Sequence, residues 1–283
     1  SKKLENWKFT SSKNFKNFNK SSSKAEKQKI ESDELSIVFI NGVLDIDSLE
    51  NFKFSDLLEV KNLNEIDNEE LLHCSANFLN ESMFNLGVSE FENGNYLSFK
   101  KNSVVDEVIN IKNYFFENGE NERVSSYNIF HINEGSEISI IEEDIKENYS
   151  IFNLKLNKFI CENSSILKYG KSFNDDSQTH SLSYNYYQIE KDVALSVDSM
   201  VKSSFFNKEF IEVDLNNVGS DAKINILNLG KQEQHVDNNI LINHNAEHCT
   251  SFQHVRNILD NKSTAVFNGK VIVSEGAQQT DSN

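Results

Sequence analysis

The sequence predicts a mainly β fold, in which a right-handed parallel β-helix core follows a small helical and mixed N-terminal region. Short runs of alternating apolar and polar residues dominate the last two thirds of the 283-residue chain. Small residues recur in the turns between these runs, and hairpin turns of the Asn-Gly type are scarce there. We place the N-terminal region at residues 1–88 and the β-helix core at residues 89–283.

The N-terminal region begins with a polar segment that contains scattered aromatic residues and extends to about Ile30. The stretch ELSIVFINGVLD follows at residues 34–45. Its apolar residues alternate, and Asn41-Gly42 supplies a turn. This stretch therefore predicts a short β-hairpin.

A helix is predicted from Asp67 to Phe84, because apolar residues recur there at intervals of three and four residues. Asp67 and Glu70 have the spacing of a capping box. His73 and Cys74 are neighbours on this helix and point about 100° apart. They are therefore predicted to be packing residues that do not bind one metal ion.

Strand-like segments make up the chain after Gly94, and polar turns separate them. Each segment holds about four to nine residues, which is the usual length of a strand. The segments are NYLSFK, SYNIFHI, SEISIIE, FNLKLNKFI, SILKYGKSF, SLSYNYYQIE, ALSVDSMV, EFIEVDL, AKINILNL, NNILINH and AVFNGKVIV.

The turns between these segments favour a coil of stacked repeats. Gly135, Ser164, Ala194 and Gly219 follow one another at intervals of roughly 25 to 30 residues, a spacing typical of stacked repeats. Each coil would bury its inward side chains on the next coil, and Asn or Ser at the corners could form hydrogen-bonded ladders.

A β-sandwich is the alternative architecture. A sandwich or an up-and-down barrel would more often place an Asn-Gly turn between each pair of strands. Of the Asn-Gly pairs in this chain, only Asn268-Gly269 lies in the strand-rich half. Parallel coils therefore account for the turns better than hairpins do.

The charge of the chain excludes two classes of partner. There are 28 Lys and Arg against 44 Asp and Glu, for a net charge of −16. Arg123 and Arg256 are the only arginines, so the sequence offers no basic stripe for a nucleic acid. The acidity would also repel an anionic membrane surface.

Cysteine usage and the chain termini indicate a cytoplasmic protein. Cys74, Cys161 and Cys249 are odd in number and far apart, which fits a reducing compartment. No stretch has the length of a membrane span, and residues 1–18 contain no apolar core of a signal peptide. The first residue is not Met, so the chain is expected to be a processed or excerpted product.

A cluster of metal-ligating residue types occurs near the C-terminus, where His244, His248, Cys249 and His254 occupy eleven positions. In an extended strand the three histidines would share one face and Cys249 would lie on the other. The preceding segment is strand-like, and no Glu is placed as the base of a zinc hydrolase. His244, His248 and Cys249 are therefore weak metal candidates, and stacked polar residues are the favoured interpretation.

Other candidate groups are weaker. Asp175-Asp176 beside His180 could act as an acid–base pair, but such residues more often solvate a turn. The run Glu142-Glu143-Asp144 is predicted to be an exposed face. Nucleophile-elbow, phosphate-loop and dinucleotide motifs are absent from the sequence, so we expect no catalytic residues and no enzyme activity.

Several sequence segments together resemble the SufD branch of the SufB/SufD family, which takes part in iron–sulfur cluster assembly. The densest set lies between His244 and Asp281. The segments are His244, CTSFQ at 249–253, RNIL at 256–259, VFNGKVIV at 266–273 and AQQTD at 277–281, with QHVD at 234–237, LNL at 227–229 and ENWKFTSSKNF at 5–15 upstream.

This resemblance implies a right-handed parallel β-helix and a scaffold role without catalysis. It implies a heterodimer with a SufB-like subunit and joint action with a SufC-like ATPase, the full complex assembling an iron–sulfur cluster transiently. Two residues depart from the family pattern, since Gln279 and Arg256 both stand where it has lysine.

The family also has a Cys-Ser-His-Gly segment and a C-terminal helical region after the β-helix. The present sequence ends at Asn283, so we expect both to be absent, along with the region through which a SufC-like ATPase would dock. No cluster-binding residue is carried over, and we expect this chain alone to bind no cofactor. The alternatives from other classes are a β-helix carbohydrate-active enzyme and a surface adhesin.

Overall fold

The computed structural model describes residues 7–8, 10, 18–20, 30, 32–66, 94–116, 122–146, 150–174, 179–202 and 205–282. The predicted helix at Asp67 to Phe84, with His73 and Cys74, lies outside these residues. One helix, α1 (Ile46–Leu49), and two short 3₁₀ turns (Ser55–Leu57 and Leu63–Glu65) lie within them. The strands are β1 (Asn19–Lys20), β2 (Ser36–Ile40), β3 (Val43–Leu44), β4 (Leu58–Asn62), β5 (Asn95–Phe99), β6 (Val104–Phe115), β7 (Glu122–Ile132), β8 (Glu137–Lys146), β9 (Ile151–Cys161), β10 (Ile166–Asn174), β11 (Thr179–Ile189), β12 (Ala194–Lys202), β13 (Phe206–Leu215), β14 (Asp221–Gly230), β15 (His235–His244), β16 (Thr250–Leu259), β17 (Thr264–Val273) and β18 (Asp281–Ser282).

The strands form two sheets whose members alternate along the chain. Sheet A has the order β17-β15-β13-β11-β9-β7-β5-β4, with β1 also paired to β7. Sheet B has the order β18-β16-β14-β12-β10-β8-β6-β2-β3. Each coil gives one strand to each sheet, and the result is a β-solenoid of about 6 turns. The predicted parallel β-helix is confirmed, and the β-sandwich alternative is wrong.

The register between coils follows the repeat spacing that the turns predicted. In sheet B, Glu137 lies beside Ile166, Ile166 beside Ala194, Ala194 beside Asp221, and Asp221 beside Thr250. Residues of like position on successive coils therefore form columns, and a single side chain on one strand contacts its counterpart on the next.

The two antiparallel pairs among the described strands lie at the N-terminal end of the solenoid. The predicted hairpin is one of them: β2 pairs with β3, and Asn41 and Gly42 both have left-handed backbone angles, with φ of 45° and 80°. β4 pairs with β5 in the other. β2 also pairs in parallel with β6, so residues before position 89 contribute strands to both sheets.

A left-handed residue forms the corner at each passage from a sheet A strand to a sheet B strand. At five of these corners the backbone N–H donates to a carbonyl of the next coil, as from Ser164 to Lys191 over 2.8 Å; the five donors are Asn102, Gly135, Ser164, Asp192 and His248. These corner residues are Asn102, Gly135, Ser164, Asp192, Gly219 and His248.

Three of the four small residues singled out from the sequence are such corners, whereas Ala194 is the first residue of β12. The corner of that coil is Asp192, with φ of 55°. A corner position therefore requires a residue that tolerates a positive φ, as Asp, Asn and Gly do. Small size is not the requirement.

Two long strands of the solenoid were missed in the sequence, as were the short strands β1, β4 and β18. β6 spans VVDEVINIKNYF and β16 spans TSFQHVRNIL, and both carry polar residues on their outward side. The segment that becomes β16 contains part of the His/Cys cluster. Because this segment is rich in polar residues, its sequence did not predict a strand. Asn268-Gly269 lies inside β17 and forms no turn.

The core lies between the two sheets. Buried aliphatic side chains from successive coils fill it near the corners that lead from sheet A to sheet B, as at Ile132, Leu195 and Ile224. Aromatic rings stack along one column, with centroids 4.9 Å apart between Phe130 and Phe159 and 4.7 Å apart between Phe159 and Tyr187.

The N-terminal segment covers part of the outer face of sheet A. Trp7 lies 6.4 Å from Phe210, and Phe18 lies 5.6 Å from Phe152, measured between ring centroids. Beneath Trp7, the ammonium of Lys208 lies 4.9 Å from the indole centre. None of the helices in the described part of the chain is long and apolar enough to cross a membrane.

The corner glycines provide a test of this architecture. Gly219 has φ of +82°, and a Cβ there would overlap Oδ1 of Asp192. The variant Gly219→Ala should lose the roughly 1–2 kcal/mol that a left-handed alanine costs, plus the cost of displacing Asp192. Urea unfolding at constant m-value measures the loss.

Gly276→Ala is the matched control, because Gly276 has φ of +91° and a Cβ added there would meet nothing within 4 Å. This variant should lose only the free energy of unfolding that a left-handed alanine backbone costs. Equal losses in the two variants would contradict a role for the Asp192 contact.

Candidate functional site

The structure separates the residues of the predicted His/Cys cluster. His244 ends β15 with its side chain inside the solenoid, where Nε2 lies 2.8 Å from the Ser251 hydroxyl. Burial lowers the pKa of His244. Its Nδ1 has no hydrogen-bond partner among the described residues.

The other three members point elsewhere. His248 is an exposed corner residue with φ of 57°, and the Cys249 thiol is buried in the core, 3.2 Å from the carbonyl of Asn217. His254 lies on the outer face of β16 and accepts a hydrogen bond from Nε of Arg256.

The expectation that the three histidines share a strand face was wrong, because the corner at His248 interrupts the extended chain. Within the described ranges no group of three or more His, Cys, Asp or Glu side chains is placed to hold a metal ion. The favoured interpretation, that these are polar residues stacked on neighbouring coils, stays a prediction.

The second candidate pair is only partly described, since Asp175 and Asp176 lie outside the described residues. His180 lies on the outer face of sheet A among aromatic rings, with centroids 5.0 Å from Phe18 and 5.2 Å from Phe205. Its surroundings are those of a packing residue.

The acidic run Glu142-Glu143-Asp144 is not the exposed face that the sequence predicted. It was expected to be an exposed face, but Glu142 is 2% exposed and points into the solenoid. Glu143 is exposed, because successive residues of a strand point to opposite faces. The ammonium of Lys155 forms ion pairs with both Glu142 and Asp144, the latter over 2.7 Å.

A second buried ion pair lies one coil further along. Nζ of Lys171 is 3.1 Å from Oε1 of Glu209, and both side chains are 2% exposed. The same ammonium donates to the hydroxyl of Ser183 over 3.2 Å. We refer to Glu142, Asp144, Lys155, Lys171 and Glu209 as the interior charge cluster.

The opposite charges in this cluster keep one another ionised despite burial. Burial would raise the pKa of Glu142, but the charges of Lys155 and Lys171 and a hydrogen bond from Tyr169 outweigh it and lower the pKa to about 2. Burial would lower the pKa of Lys155, yet Asp144 and Glu142 raise it above its usual value. The ion pair of Glu142 and Lys155 is therefore charged at neutral pH.

An asparagine ladder leads to this cluster along the inside of sheet A. Each side-chain amide donates to the next, from Asn95 to Asn128 over 3.0 Å, then to Asn157 and to Asn185 over 3.2 Å each. Asn185 donates to Oε1 of Glu209 over 2.9 Å. The ladders predicted at the corners are present as well, since Ser274 donates to Asn245 over 3.0 Å and Asn245 to Asn216 over 3.1 Å just after β17, β15 and β13. The ladder of Asn95 to Asn185 lies within the strands, where none was predicted.

Polar atoms remain unpaired next to the cluster. Oε2 of Glu209, the hydroxyl of Tyr187 and the hydroxyl of Ser199 form no hydrogen bond with the part of the chain that the structure describes. Burial and the charge of Glu209 raise the pKa of Tyr187 well above its ordinary value, so this phenol stays neutral.

The interior of the solenoid is therefore apolar near the corners that lead from sheet A to sheet B and polar near the corners that lead from sheet B to sheet A.

Sequence reasoning missed Lys155, Lys171 and Glu209. A signal was present, since Lys155 has the same parity as Asn157 and Phe159 in a strand whose described side chains are all buried. Both faces of β9 are covered, however, and alternation alone could not show which face was interior.

The two described thiols are buried in the solenoid. Burial raises the pKa of Cys161 to about 12, and Cys249 is fully buried. A nucleophilic thiol requires the thiolate, and none of the described cations contacts Cys161 or Cys249.

Comparison with known protein families agrees with this architecture. Residues 115–283 match the family described as SUF system FeS cluster assembly, SufBD core domain. The chain belongs to this family. The match runs from the last residue of β6 through β18, so the SufBD core domain corresponds to the stacked coils and contains the whole interior charge cluster. No curated protein matches the chain.

The ion pairs inside the SufBD core should be essential for its stability. Lys155→Met would leave Glu142 and Asp144 buried without their counter-charge, and we expect a loss of about 3–5 kcal/mol in the free energy of unfolding. The matched control is Lys101→Met, which removes an exposed pair with Glu134 at 2.6 Å and should cost at most about 1 kcal/mol. If urea unfolding gave similar losses of free energy for both variants, the claim that burial makes the Lys155 pairs critical would be contradicted.

Glu142 should also make stability depend on pH. Its folded pKa of about 2 lies below the ordinary 4.5, so its contribution is present above pH 4.5 and is lost as pH falls toward 2. This shift in pKa corresponds to a contribution of about 3 kcal/mol to the free energy of unfolding. The stability difference between the native sequence and Glu142→Gln, measured by urea unfolding, should narrow as pH falls from 5 to 2. A constant difference would show that Glu142 is not held ionised.

Proposed function

We propose that this chain is a SufD-type scaffold subunit for iron–sulfur cluster assembly. In this proposal it pairs with a SufB-like subunit, works with a SufC-like ATPase and performs no catalysis itself. The observation that carries the proposal is the match of residues 115–283 to the SufBD core domain, which establishes involvement in iron–sulfur cluster assembly.

Family-like segments from different coils lie side by side in the fold. QHVD at 234–237 and VFNGKVIV at 266–273 come from different coils, yet Asp237 lies beside Val266 in the register of sheet A. His244 lies beside Val273 at the other end of the same strand pair. Segments that resemble one family are thus brought together on β15 and β17.

The physical properties of the solenoid suit a scaffold. Parallel coils in register give a rigid body, and the outer face of sheet B carries exposed apolar side chains for a partner to cover. The carbohydrate-active enzyme and the adhesin are not favoured, because the matched core domain belongs to a cluster assembly system. An iron–sulfur cluster would be cargo of the complex, and we propose that the chain alone retains none.

Co-purification tests this function. The tagged chain should co-elute with SufB-like and SufC-like proteins of the same organism when the three are co-expressed. After anaerobic incubation with ferrous iron and sulfide, followed by desalting, the complex should retain iron and the chain alone should not. An unrelated β-solenoid of similar charge serves as the control.

Failure to bind either protein would remove the scaffold assignment. Stoichiometric iron on the chain alone, lost in Cys249→Ser, would contradict the proposal that this chain binds no cluster by itself.

A further inference from the structure

Two segments that the sequence analysis singled out meet on the outer face of sheet A. ENWKFTSSKNF at 5–15 contains Thr10, and QHVD at 234–237 contains His235 and Asp237. The Thr10 hydroxyl donates a hydrogen bond to the carboxylate of Asp237, and it lies 3.1 Å from Nε2 of His235. Thr10 is buried, so the N-terminal segment is held against the solenoid at this point.

Two histidines lie beneath the N-terminal contacts in one column of sheet A. In the strand register His180 lies beside Phe206, and Phe206 lies beside His235. The Phe206 ring stacks between them, with centroids 6.2 Å from His180 and 5.3 Å from His235. The Phe18 ring packs on His180, with 5.0 Å between centroids, and Thr10 contacts His235. Each histidine therefore has one N-terminal residue against it.

Trp7 makes a third contact with the same face. Its ring centre lies 4.9 Å from the ammonium of Lys208. Lys208 forms a buried ion pair over 2.5 Å with Asp237, the carboxylate that accepts from Thr10. We refer to Trp7, Thr10 and Phe18 together as the N-terminal strap.

The hydrogen bonds beneath the strap fit a neutral His235. The Thr10 hydroxyl donates its proton to Asp237, so it accepts from Nε2–H of His235. Nδ1 of His235 is then the acceptor for the Thr264 hydroxyl, at 2.7 Å. A proton added at Nδ1 would oppose this arrangement, because two donors would face each other until the Thr264 hydroxyl turned away. Hydrogen bonding to the uncharged imidazole thus disfavours the charged one.

Two charges act on His235 from the strands beneath the strap. They are Lys208 of β13 and Asp237 of β15, which pair with each other over 2.5 Å. Burial lowers the pKa of His235 below its usual value, although Asp237 opposes the change and Lys208 adds to it. In the turns before β15 and β17, Glu233 and Lys262 form an exposed pair at 3.3 Å whose charges cancel.

His180 is packed among rings. Besides Phe18 and Phe206, Phe205 lies 5.2 Å away between centroids. Arg123 of β7 lies in the same column two strands away, and it adds a positive charge. Removing a charged imidazole from water costs free energy, so the strap packs better on a neutral His180.

We propose that the N-terminal strap is a pH-sensitive cover of sheet A, closed while His180 and His235 are neutral and released when they take up protons. Histidine is the side chain that ordinarily changes its charge between pH 5 and 8. Release returns both imidazoles to water, so proton uptake favours the open strap. The inference concerns this chain alone and goes beyond the proposed function.

Trp7 reports the state of the strap, because it is the only tryptophan in the chain. Fluorescence of the full chain is recorded from pH 8 to 5, with far-UV circular dichroism of the same samples. The pKa of His235 lies below its ordinary 6.5 when the strap is closed, so closure is fully stable above pH 6.5 and weakens as pH falls below it. The Trp7 emission should therefore move to longer wavelength as pH falls, while the strand signal in circular dichroism stays constant.

The size of the effect depends on how much release changes the two histidines. The ratio of closed to open strap should fall by up to about tenfold for each unit by which the pKa of a histidine differs between the two states. NMR of the imidazole protons measures both titrations in the same pH range.

Three variants separate this strap from other causes. The double variant His180→Gln, His235→Gln takes up no proton at either position and should abolish the emission shift. His254→Gln is its matched control, because His254 lies on the outer face of sheet B, and it should keep the native pH profile. Thr10→Val removes the hydroxyl of the strap but keeps both histidines, and it should move the midpoint of release to higher pH.

The inference is wrong if the Trp7 emission stays constant while both histidines titrate, or if the double glutamine variant shows the native shift. Loss of the strand signal together with the emission shift would also overturn it, because acid would then unfold the solenoid and not release the strap. Should the double variant fail to fold, an unchanged midpoint in Thr10→Val is sufficient to reject the inference.

Discussion

Each coil of this solenoid is held to the next by parallel backbone hydrogen bonds, and the register repeats from coil to coil along both sheets. This pairing converts positions that are distant in sequence into columns of like residues. The left-handed corners keep the columns aligned, because the backbone N–H of corner residues such as Ser164 and Asp192 donates to a carbonyl of the next coil and so fixes where the next strand begins. The core, the asparagine ladder and the outer faces are consequences of that alignment.

The interior is divided between two kinds of packing. Aliphatic and stacked aromatic side chains fill the half near the corners that lead into sheet B, where dispersion and the removal of apolar surface from water stabilise the coils. The other half contains the interior charge cluster. Buried ion pairs add little net stability, but a lysine without its carboxylate is costly in this environment. The cluster therefore penalises any shift of one coil against the next, because a shift would separate Lys155 from Glu142 and Lys171 from Glu209.

The outside is divided as well. The N-terminal segment covers one face of the solenoid through Trp7 and Phe18. Trp7 lies over Lys208, which forms a buried ion pair with Asp237 of the neighbouring strand at 2.5 Å. The outer face of sheet B has no such cover in the described part of the chain and carries exposed apolar residues such as Met200 and Phe252. A body that is closed on one face and open on the other is suited to a subunit of an assembly, which agrees with its membership of the SufBD core family.

The sequence by itself determined the class of fold, the approximate length of each coil and the hairpin at Asn41-Gly42, because these depend on local alternation, on turn residues and on repetition. It also contained the family-like segments near the C-terminus. Only the tertiary structure decided which side of each strand is interior. Lys155 and Glu142 are 13 residues apart, and Lys171 and Glu209 are 38 apart, so their burial depends on how coils stack and not on local pattern. For the same reason the histidines near the C-terminus, which are close in sequence, point in different directions once a corner separates them.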